Sequence, residues 1–185
     1  MKIAAVLLCC CVLCGCVANP DPVDQAMDLR SALLECEKCS FSCVISADYG
    51  DQIYSFQMKC ESDSQGNLSF TVTDPETIEG ISGRISEEGG SLCFDDKVLA
   101  FPLLANERLS PVSTPWIFMN TLTSGYIHGC SQEKDVLRIF LDDSFDDALL
   151  RVEVLTDNRN VPVYTAIFWN QKQILSADIR DFTIV

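Results

Sequence analysis

Basic side chains and histidine are scarce in this sequence. Its 185 residues contain 13 Lys and Arg against 27 Asp and Glu, with a single histidine, and the formal charge at neutral pH is −14. Nucleic acids and anionic lipid surfaces bind proteins largely through Lys and Arg that neutralise phosphates, and the sequence has no cluster of basic residues. We therefore expect no nucleic-acid partner.

Beyond its N-terminus, the sequence also lacks a long apolar run. A membrane-spanning helix needs roughly 18 or more consecutive apolar residues, and no segment after residue 16 approaches that length. Hydrophobic residues nevertheless make up 48% of the chain and charges are interspersed among them, which excludes a disordered protein. No internal repeat occurs. Length and composition predict one soluble globular domain.

The first sixteen residues have the parts of a secretory signal peptide. A short charged start precedes an uncharged apolar run over residues 3–13. The run closes on Leu13-Cys14-Gly15-Cys16, which resembles the bacterial lipobox, whose cysteine receives diacylglycerol before the signal is cleaved. A plain secretory signal or an uncleaved anchor is the alternative.

The lipobox resemblance implies where the chain is held. It implies a signal peptide at residues 1–15, a lipidated N-terminus and tether at residues 16–22, and a globular domain from residue 23 to 185. Diacylglycerol on Cys16, with an amide-linked chain such as palmitate, would anchor the protein to a bacterial membrane without a spanning helix. The expected location is extracytoplasmic.

Six cysteines remain if the signal is removed and Cys16 is lipidated. An even number in an exported chain suits disulfides, while in an organism that lives without oxygen the same residues suit small buried thiols. The spacing Cys36-x-x-Cys39 also occurs in redox motifs and zinc sites, but no second such pair follows. The six are Cys36, Cys39, Cys43, Cys60, Cys93 and Cys130.

Two helices are predicted. Apolar residues at helical spacing, from Ala26 to Cys36, predict an amphipathic helix over residues 23–38. After a proline-containing break, Thr114 as N-cap and Pro115 at the first helical position predict a second helix, which ends near Gly125 or Gly129 and carries Tyr126 on its apolar stripe.

The first two strands predict a hairpin with one register. Apolar residues occupy odd positions in residues 40–49 and even positions in residues 52–61, so a two-residue loop at Gly50-Asp51 pairs Phe41 with Cys60. Cys39 and Cys43 then both lie diagonally across from Cys60. If a disulfide forms in this hairpin, we expect Cys39 with Cys60, because Cys39 lies at the helix-to-strand junction, and we expect Cys43 to remain a buried thiol.

Further alternating segments bring the count to nine or ten strands. So many antiparallel strands twist and curl, and their apolar face must be covered. The predicted fold class is therefore α+β, mainly β: a curled antiparallel sheet that forms an incomplete barrel, with the N-terminal helix and the central helix on its concave side. The remaining predicted strands are residues 68–72, 78–85, 91–95, 98–101, 136–141, 148–156, 161–169 and 173–182.

The order of elements resembles the LolA/LolB-type lipoprotein-carrier superfamily. The segments that carry the resemblance are residues 54–59, 66–81, 92–95 and the closing hairpin, residues 161–164 and 179–184. The resemblance covers residues 23–185 and implies a half-barrel with a hydrophobic cavity between sheet and helices. The expected lipid anchor separates this chain from the soluble periplasmic carrier and places it with lipid-anchored members, some of which serve envelope or spore processes through protein partners.

Catalysis and metal binding have little support in the sequence. His128 is the only histidine and follows the central helix, and no nucleophile with a neighbouring base is present. The acidic pairs Asp142-Asp143 and Asp146-Asp147 do not have EF-hand spacing and suit a solvated turn. We therefore expect a protein that is not an enzyme and has no cofactor or metal.

Two classes of function remain. The first is a carrier or chaperone of the cell envelope that holds an acyl chain or a lipidated protein in the half-barrel; the alternative for its lining is ordinary core. The second is a non-enzymatic interaction module of an envelope or spore-associated complex, which uses an acidic convex face or an unpaired sheet edge. The predicted lining of the carrier cavity is Phe56, Met58, Phe70, Phe94, Trp116, Phe118 and Met119.

Overall fold

A computed structural model describes residues 21–95, 97–101, 104–105, 108–145 and 148–185 of the chain. The predicted signal peptide and the lipidation site Cys16 lie outside these ranges and stay predictions. Among the described residues, no helix combines the length and the apolar character that crossing a membrane requires.

Thirteen strands and two helices make up the described fold. The helices are α1 (Pro22–Glu35) and α2 (Thr114–Ser124), the latter preceded by a 3-10 turn at Pro111–Ser113. The strands are β1 (Lys38–Asp48), β2 (Ile53–Asp63), β3 (Leu68–Asp74), β4 (Ser82–Ser86), β5 (Gly89–Phe94), β6 (Lys97–Phe101), β7 (Leu104–Ala105), β8 (Arg108–Leu109), β9 (Tyr126–Glu133), β10 (Val136–Phe145), β11 (Ala148–Thr156), β12 (Pro162–Trp169) and β13 (Lys172–Ile184).

Eleven of these strands form one antiparallel sheet. Their order is β6-β5-β4-β3-β2-β1-β13-β12-β11-β10-β9, and β7 pairs only with β8. The sheet does not close, because its two edges, β6 and β9, are not paired with each other. The predicted fold class, a mainly β, incomplete barrel with an N-terminal and a central helix, is confirmed.

The register predicted for the first hairpin is confirmed. β1 and β2 pair Phe41 with Cys60, Cys43 with Met58 and Ala47 with Tyr54. A slip by one residue would turn the whole apolar set of a strand to the outer face, and here every second residue of β1 from Cys39 to Ala47 is buried. The hydrophobic alternation therefore sets both the register and the inner face of the sheet.

Both helices begin within one residue of their predicted starts, and α1 ends earlier than predicted. Asp21 caps α1 by accepting a hydrogen bond from Val23 N at 2.8 Å. The helix stops at Glu35 rather than at residue 38, because Cys36 is extended and Lys38 already belongs to β1.

The central helix begins one residue earlier than predicted and ends at Gly125, one of its two predicted ends. Ser113 is the N-cap and Thr114 is the first helical residue, so the predicted cap is shifted by one. Gly125 is the C-cap. Tyr126 therefore lies outside the helix, at the start of β9, and is largely exposed.

Three further boundaries correct the sequence predictions. β9 was not expected, because an edge strand with polar residues on both sides lacks a clear alternation. The strand predicted from residue 78 starts at Ser82, since Ile78 N and Gly80 N bond Pro75 O and Val72 O in a turn. β10 continues to residue 145, so most of the polar turn predicted at residues 142–147 is strand.

Arg30 connects the two helices across the core. Its Nε donates to the carbonyl of Leu122 at 2.8 Å, and its Nη2 donates to the carbonyl of Gly125 at 2.7 Å. Carbonyls at a helix C-terminus lack intrahelical partners and carry partial negative charge. Burial lowers the pKa of the guanidinium. Arg30 thus supplies hydrogen bonds from α1 to the carbonyls at the end of α2 and links the two helices.

Candidate hydrophobic binding site

The predicted cavity lining divides into a buried set and one exposed residue. Phe94 on β5 is 53% exposed. The other six side chains belong to the packed core, with exposures of 7% for Phe56, 1% for Met58, 2% for Phe70, 5% for Trp116, 0% for Phe118 and 6% for Met119. Their role in ligand binding stays a prediction, and Phe94 is the member of the set that a ligand reaches without rearrangement.

Contacts of the six buried side chains show why a ligand cannot reach them without rearrangement. The Phe118 ring meets Phe41 edge-on at 5.9 Å between centroids and Phe182 at 6.4 Å. Trp116 donates its indole N–H to the carbonyl of Gly66 at 3.0 Å, which satisfies its one polar group. Such packing gives α2 a structural role in the half-barrel.

The inner face of the sheet continues beyond this core as a cross-strand row. Register pairs Phe70 with Gly83, Gly83 with Leu92, and Leu92 with Leu99, so all four residues face the same side. Phe70 is buried, Leu92 is half-buried and Leu99 is 65% exposed. The apolar face therefore runs from the core out into solvent along β3 to β6.

A second row runs parallel to the first. Leu68 pairs with Ile85, Ile85 with Gly90, and Gly90 with Phe101. Leu68 and Ile85 are fully buried, whereas Phe101 is half-buried. Phe94 lies on the same face one step further along β5. Leu92, Phe94, Leu99 and Phe101 together are called the open apolar patch below.

Two glycines let aromatic rings lie flat on this face. A Cβ atom on Gly83 would lie 2.6 Å from Phe70 Cζ, and one on Gly90 would lie 2.3 Å from Phe101 Cζ. An aromatic ring that covers a glycine on a neighbouring strand shields the sheet backbone from water. The result is a smooth apolar floor in place of a ridge of side chains.

The helices leave this end of the sheet open. α2 packs against β10 to β13, and α1 packs along β9. On the outer face of the same strands, Val98 is 74% exposed beside Cys93. Exposed apolar groups on both faces of β5 and β6 make this end of the sheet a candidate binding surface.

A cavity with mixed lining separates α2 from the opposite turns of the sheet. It has a volume of about 310 Å³. Carboxylates from Glu87 and Asp143 disfavour an anionic group there, while the apolar walls suit a neutral or cationic one. The lining is Glu87, Trp116, Ile117, Asn120, Ser124, Asp143 and Leu150.

The thiols in the described chain are all free. Cys60 Sγ lies 4.0 Å from Cys43 Sγ, so the diagonal neighbour that Cys60 contacts is Cys43. Burial first, and then the Cys43 thiol, raise the pKa of Cys60 well above its usual value. Burial likewise raises the pKa of Cys39 to about 12. These thiols are protonated and inert at neutral pH, and the Cys39–Cys60 disulfide stays a prediction.

His128 lies in strand β9, on the sheet rather than at a helix end. Its Nδ1 is 3.3 Å from Asp142 Oδ2, and Arg151 Nε donates to Asp142 Oδ1 at 3.2 Å. Among the described residues, no group of three or more His, Cys, Asp or Glu side chains has the arrangement of a metal site.

Residue type identifies only part of the open apolar patch. The predicted lining includes Phe94 but not Leu92, Leu99 or Phe101, because only the strand register shows that these three lie beside it on one face. The signal is present in the sequence: a two-residue loop between Phe94 and Lys97 pairs Leu92 with Leu99 on one face.

No protein-family model matches the chain, and no curated protein matches it in sequence. Among solved structures, a LolA superfamily protein of Nitrosomonas europaea has a TM-score of 0.48 at 10% identity, covering 86% of this chain and 93% of its own. A domain assigned to outer membrane lipoprotein sorting from Vibrio parahaemolyticus has a TM-score of 0.47 at 8% identity, covering 89% and 93%. The Mycobacterium tuberculosis lipoprotein LppX has a TM-score of 0.40 at 10% identity, covering 87% and 92%. The structural neighbours thus include LolA superfamily and lipoprotein-sorting proteins, as the resemblance in the sequence predicts.

Proposed function

We propose that this protein is an extracytoplasmic lipoprotein, anchored through Cys16, that binds an acyl chain or the lipid of another protein on its open apolar patch. It would act as a carrier or chaperone in the cell envelope. The observation that carries the proposal is the row from Phe70 to Leu99, in which the core face of the sheet continues into solvent while the two described helices pack mainly against other strands.

The chemistry of the patch suits a flexible aliphatic ligand. Its members are aliphatic or aromatic, and the Phe101 ring lies flat across Gly90. Neither cross-strand row contains a charged side chain, and Lys97 flanks them at the turn beside Phe94. The polar head group of a lipid would therefore lie in solvent at the turn beside Phe94 while the chain follows the rows towards the core.

The strength of one contact can be worked out from exposure. Fully burying a Leu side chain is worth about 1.5–3 kcal/mol, and Leu99 is 65% exposed. A ligand that covers it gains about 1–2 kcal/mol, which corresponds to roughly 5–30-fold in affinity. Several such contacts give an affinity that allows both loading and release, as a carrier requires.

Matched substitutions on one strand test the proposal. Leu99→Ser removes an inner-face contact, and Val98→Ser removes a side chain of similar exposure on the outer face. With a fluorescent palmitate as probe, we expect Leu99→Ser and Phe94→Ser to weaken binding by about tenfold and Val98→Ser to change it by less than about twofold. Equal losses in all three variants would overturn the assignment to the inner face.

A second measurement addresses the ligand itself. The protein recovered from its membrane is analysed by mass spectrometry for co-purified lipid, with the Leu99→Ser variant alongside. We expect bound lipid in the wild type and less in the variant. A wild type that carries no lipid and binds no fluorescent palmitate would refute the carrier role.

A further inference from the structure

β6, which carries part of the open apolar patch, is also an edge strand of the sheet. β6 pairs with β5 on one side, and within the described ranges no strand pairs with its other side. An antiparallel edge strand presents every second N–H and C=O outward. Natural edges are protected by short length, charges, prolines or bulges. β6 is five residues long and has one charge, Lys97, followed by Val98, Leu99, Ala100 and Phe101, so its apolar part carries no charge of its own.

Side chains on both faces of this edge are apolar and exposed. Val98 is 74% exposed on the outer face and Leu99 is 65% exposed on the inner face. A strand added beside β6 would therefore find apolar neighbours on both sides of the sheet. The edge favours an extended segment of β-branched and other apolar residues.

Acidic residues flank the two ends of β6. Asp95 lies in the turn that precedes Lys97 and is exposed. At the other end, Phe101 pairs with Gly90, which follows the turn with the exposed residues Glu87 and Glu88. Glu88 lines a surface depression with Ala100 and Phe101, whereas Glu87 lines the cavity beside α2. An added strand would thus extend past carboxylates on both sides.

This charge pattern selects between possible occupants. A second copy of the chain, paired antiparallel through β6, would bring the Asp95 end of one copy to the Glu87-Glu88 end of the other. Each copy also carries a net charge of −14. Like charges oppose that association, whereas a segment with basic residues at both ends is attracted at both ends of the edge.

We propose that β6 binds an extended segment of another protein by strand addition, and that this segment has an apolar centre and Lys or Arg at each end. Backbone hydrogen bonds to β6 supply affinity, while the flanking carboxylates supply selectivity. This peptide site differs from the lipid-binding site of the inner face because it uses the backbone edge of the strand, although Leu99 borders both sites.

The test uses a synthetic probe of alternating valine and threonine with two lysines at each end. Hydrogen exchange of the full domain with the probe should slow at Lys97–Phe101 and stay unchanged at Tyr126–Glu133, the other edge. Two N-methylated probes carry methyl groups on alternate sets of amides. Strand addition predicts that one set abolishes binding and that the other leaves it nearly intact, because only one side of the probe faces β6.

Charge variants test the selectivity. The double change Glu87→Gln and Glu88→Gln lies in an exposed turn and should weaken binding of the lysine-flanked probe about three- to tenfold, with no effect on a probe whose lysines are replaced by glutamines. Salt at roughly 1 M, where the screening length is about 3 Å, should remove the difference.

Three results would overturn the peptide site. They are equal binding of both N-methylated probes, protection at β9 instead of β6, and a stable dimer that forms through β6. The fluorescent-palmitate assay with Leu99→Ser is independent of all three, so failure of the peptide site and failure of the lipid site are distinguishable.

Discussion

Gly83→Ala and Gly90→Ala add the same methyl group to the same face of neighbouring strands, with different consequences. At Gly83 the new Cβ would lie 2.3 Å from the carbonyl oxygen of Ser91 and 2.6 Å from the buried Phe70 ring. At Gly90 the three nearest atoms all belong to the outer end of the half-buried Phe101 ring, the closest at 2.3 Å. The Ser91 carbonyl and the buried Phe70 ring cannot move away from an added methyl group, whereas the Phe101 ring at the surface can.

The magnitudes follow from these neighbours. Replacing Gly by Ala in a strand gains about 0.5–1 kcal/mol where the methyl group fits, whereas overpacking costs about 1–3 kcal/mol. Because the clash at Gly83 includes backbone, we expect Gly83→Ala to lower the free energy of unfolding by about 1–2 kcal/mol. At this chain length that loss lowers Tm by roughly 2–8 °C. Gly90→Ala should stay within about 1 kcal/mol of the wild type.

Two assays separate the variants. Thermal unfolding followed by circular dichroism should show the loss for Gly83→Ala only. Binding of the fluorescent palmitate should weaken for Gly90→Ala, because Phe101 must turn off the floor of the open apolar patch. If Gly90→Ala lost as much stability as Gly83→Ala, or if it bound the probe like the wild type, the described floor would be wrong.

Three further predictions concern the helix junction, the anchor and acid stability. Arg30→Met should lower the free energy of unfolding by about 2–3 kcal/mol in urea titrations, since two carbonyls lose a charged donor, while the control Arg180→Met, at an exposed position, should cost less than about 0.5 kcal/mol. Cys16→Ser should abolish labelling by radioactive palmitate and release the protein from membranes; retention of that variant with its signal removed would contradict the anchor. Burial acts to raise the pKa of Asp157, but hydrogen bonds from Val161 N and from Arg159 outweigh it and hold the pKa below its usual 3.8. Its stabilising contribution is therefore present above pH 3.8 and lost as the pH falls through the lowered value, so Asp157→Asn should lose less stability than the wild type between pH 7 and pH 3.

The parts of the fold that the sequence predicts are those in which one face is buried. In β1 and β2 the strict alternation and the Gly50-Asp51 loop leave one register, and the structure has it. β9 has no such signal, because it is an edge strand with no fully buried side chain. Ile78 is apolar and half-buried, yet it belongs to a turn, since its N–H bonds the carbonyl of Pro75.

The candidate site, too, is predictable from the sequence only where its residues are buried. Large aromatic and Met residues indicate interior positions, and six of the seven residues of the predicted cavity lining are buried there. Residue type alone does not say which part of an inner face the helices cover. That depends on the position of α2 over β10 to β13, which follows from long-range packing and from contacts such as Arg30 with Gly125. The uncovered end at β5 and β6 is therefore visible only in the fold.

The position of the patch along the strands also bears on how a ligand reaches it. α1 begins beside the turns at the ends of β9 and β11, since Gln25 contacts Gln132 and its carbonyl accepts from Asn160. In an antiparallel sheet with this order, those turns lie at the strand ends opposite to the turn after Phe94. The few residues between Cys16 and α1 reach about 20 Å at most, less than the roughly 36 Å rise of β2. With the lipid proposed on Cys16, a tether this short keeps the start of α1 nearer the anchoring membrane than the Phe94 end, and we therefore propose that an acyl chain on the patch comes from a partner rather than from the bilayer beneath.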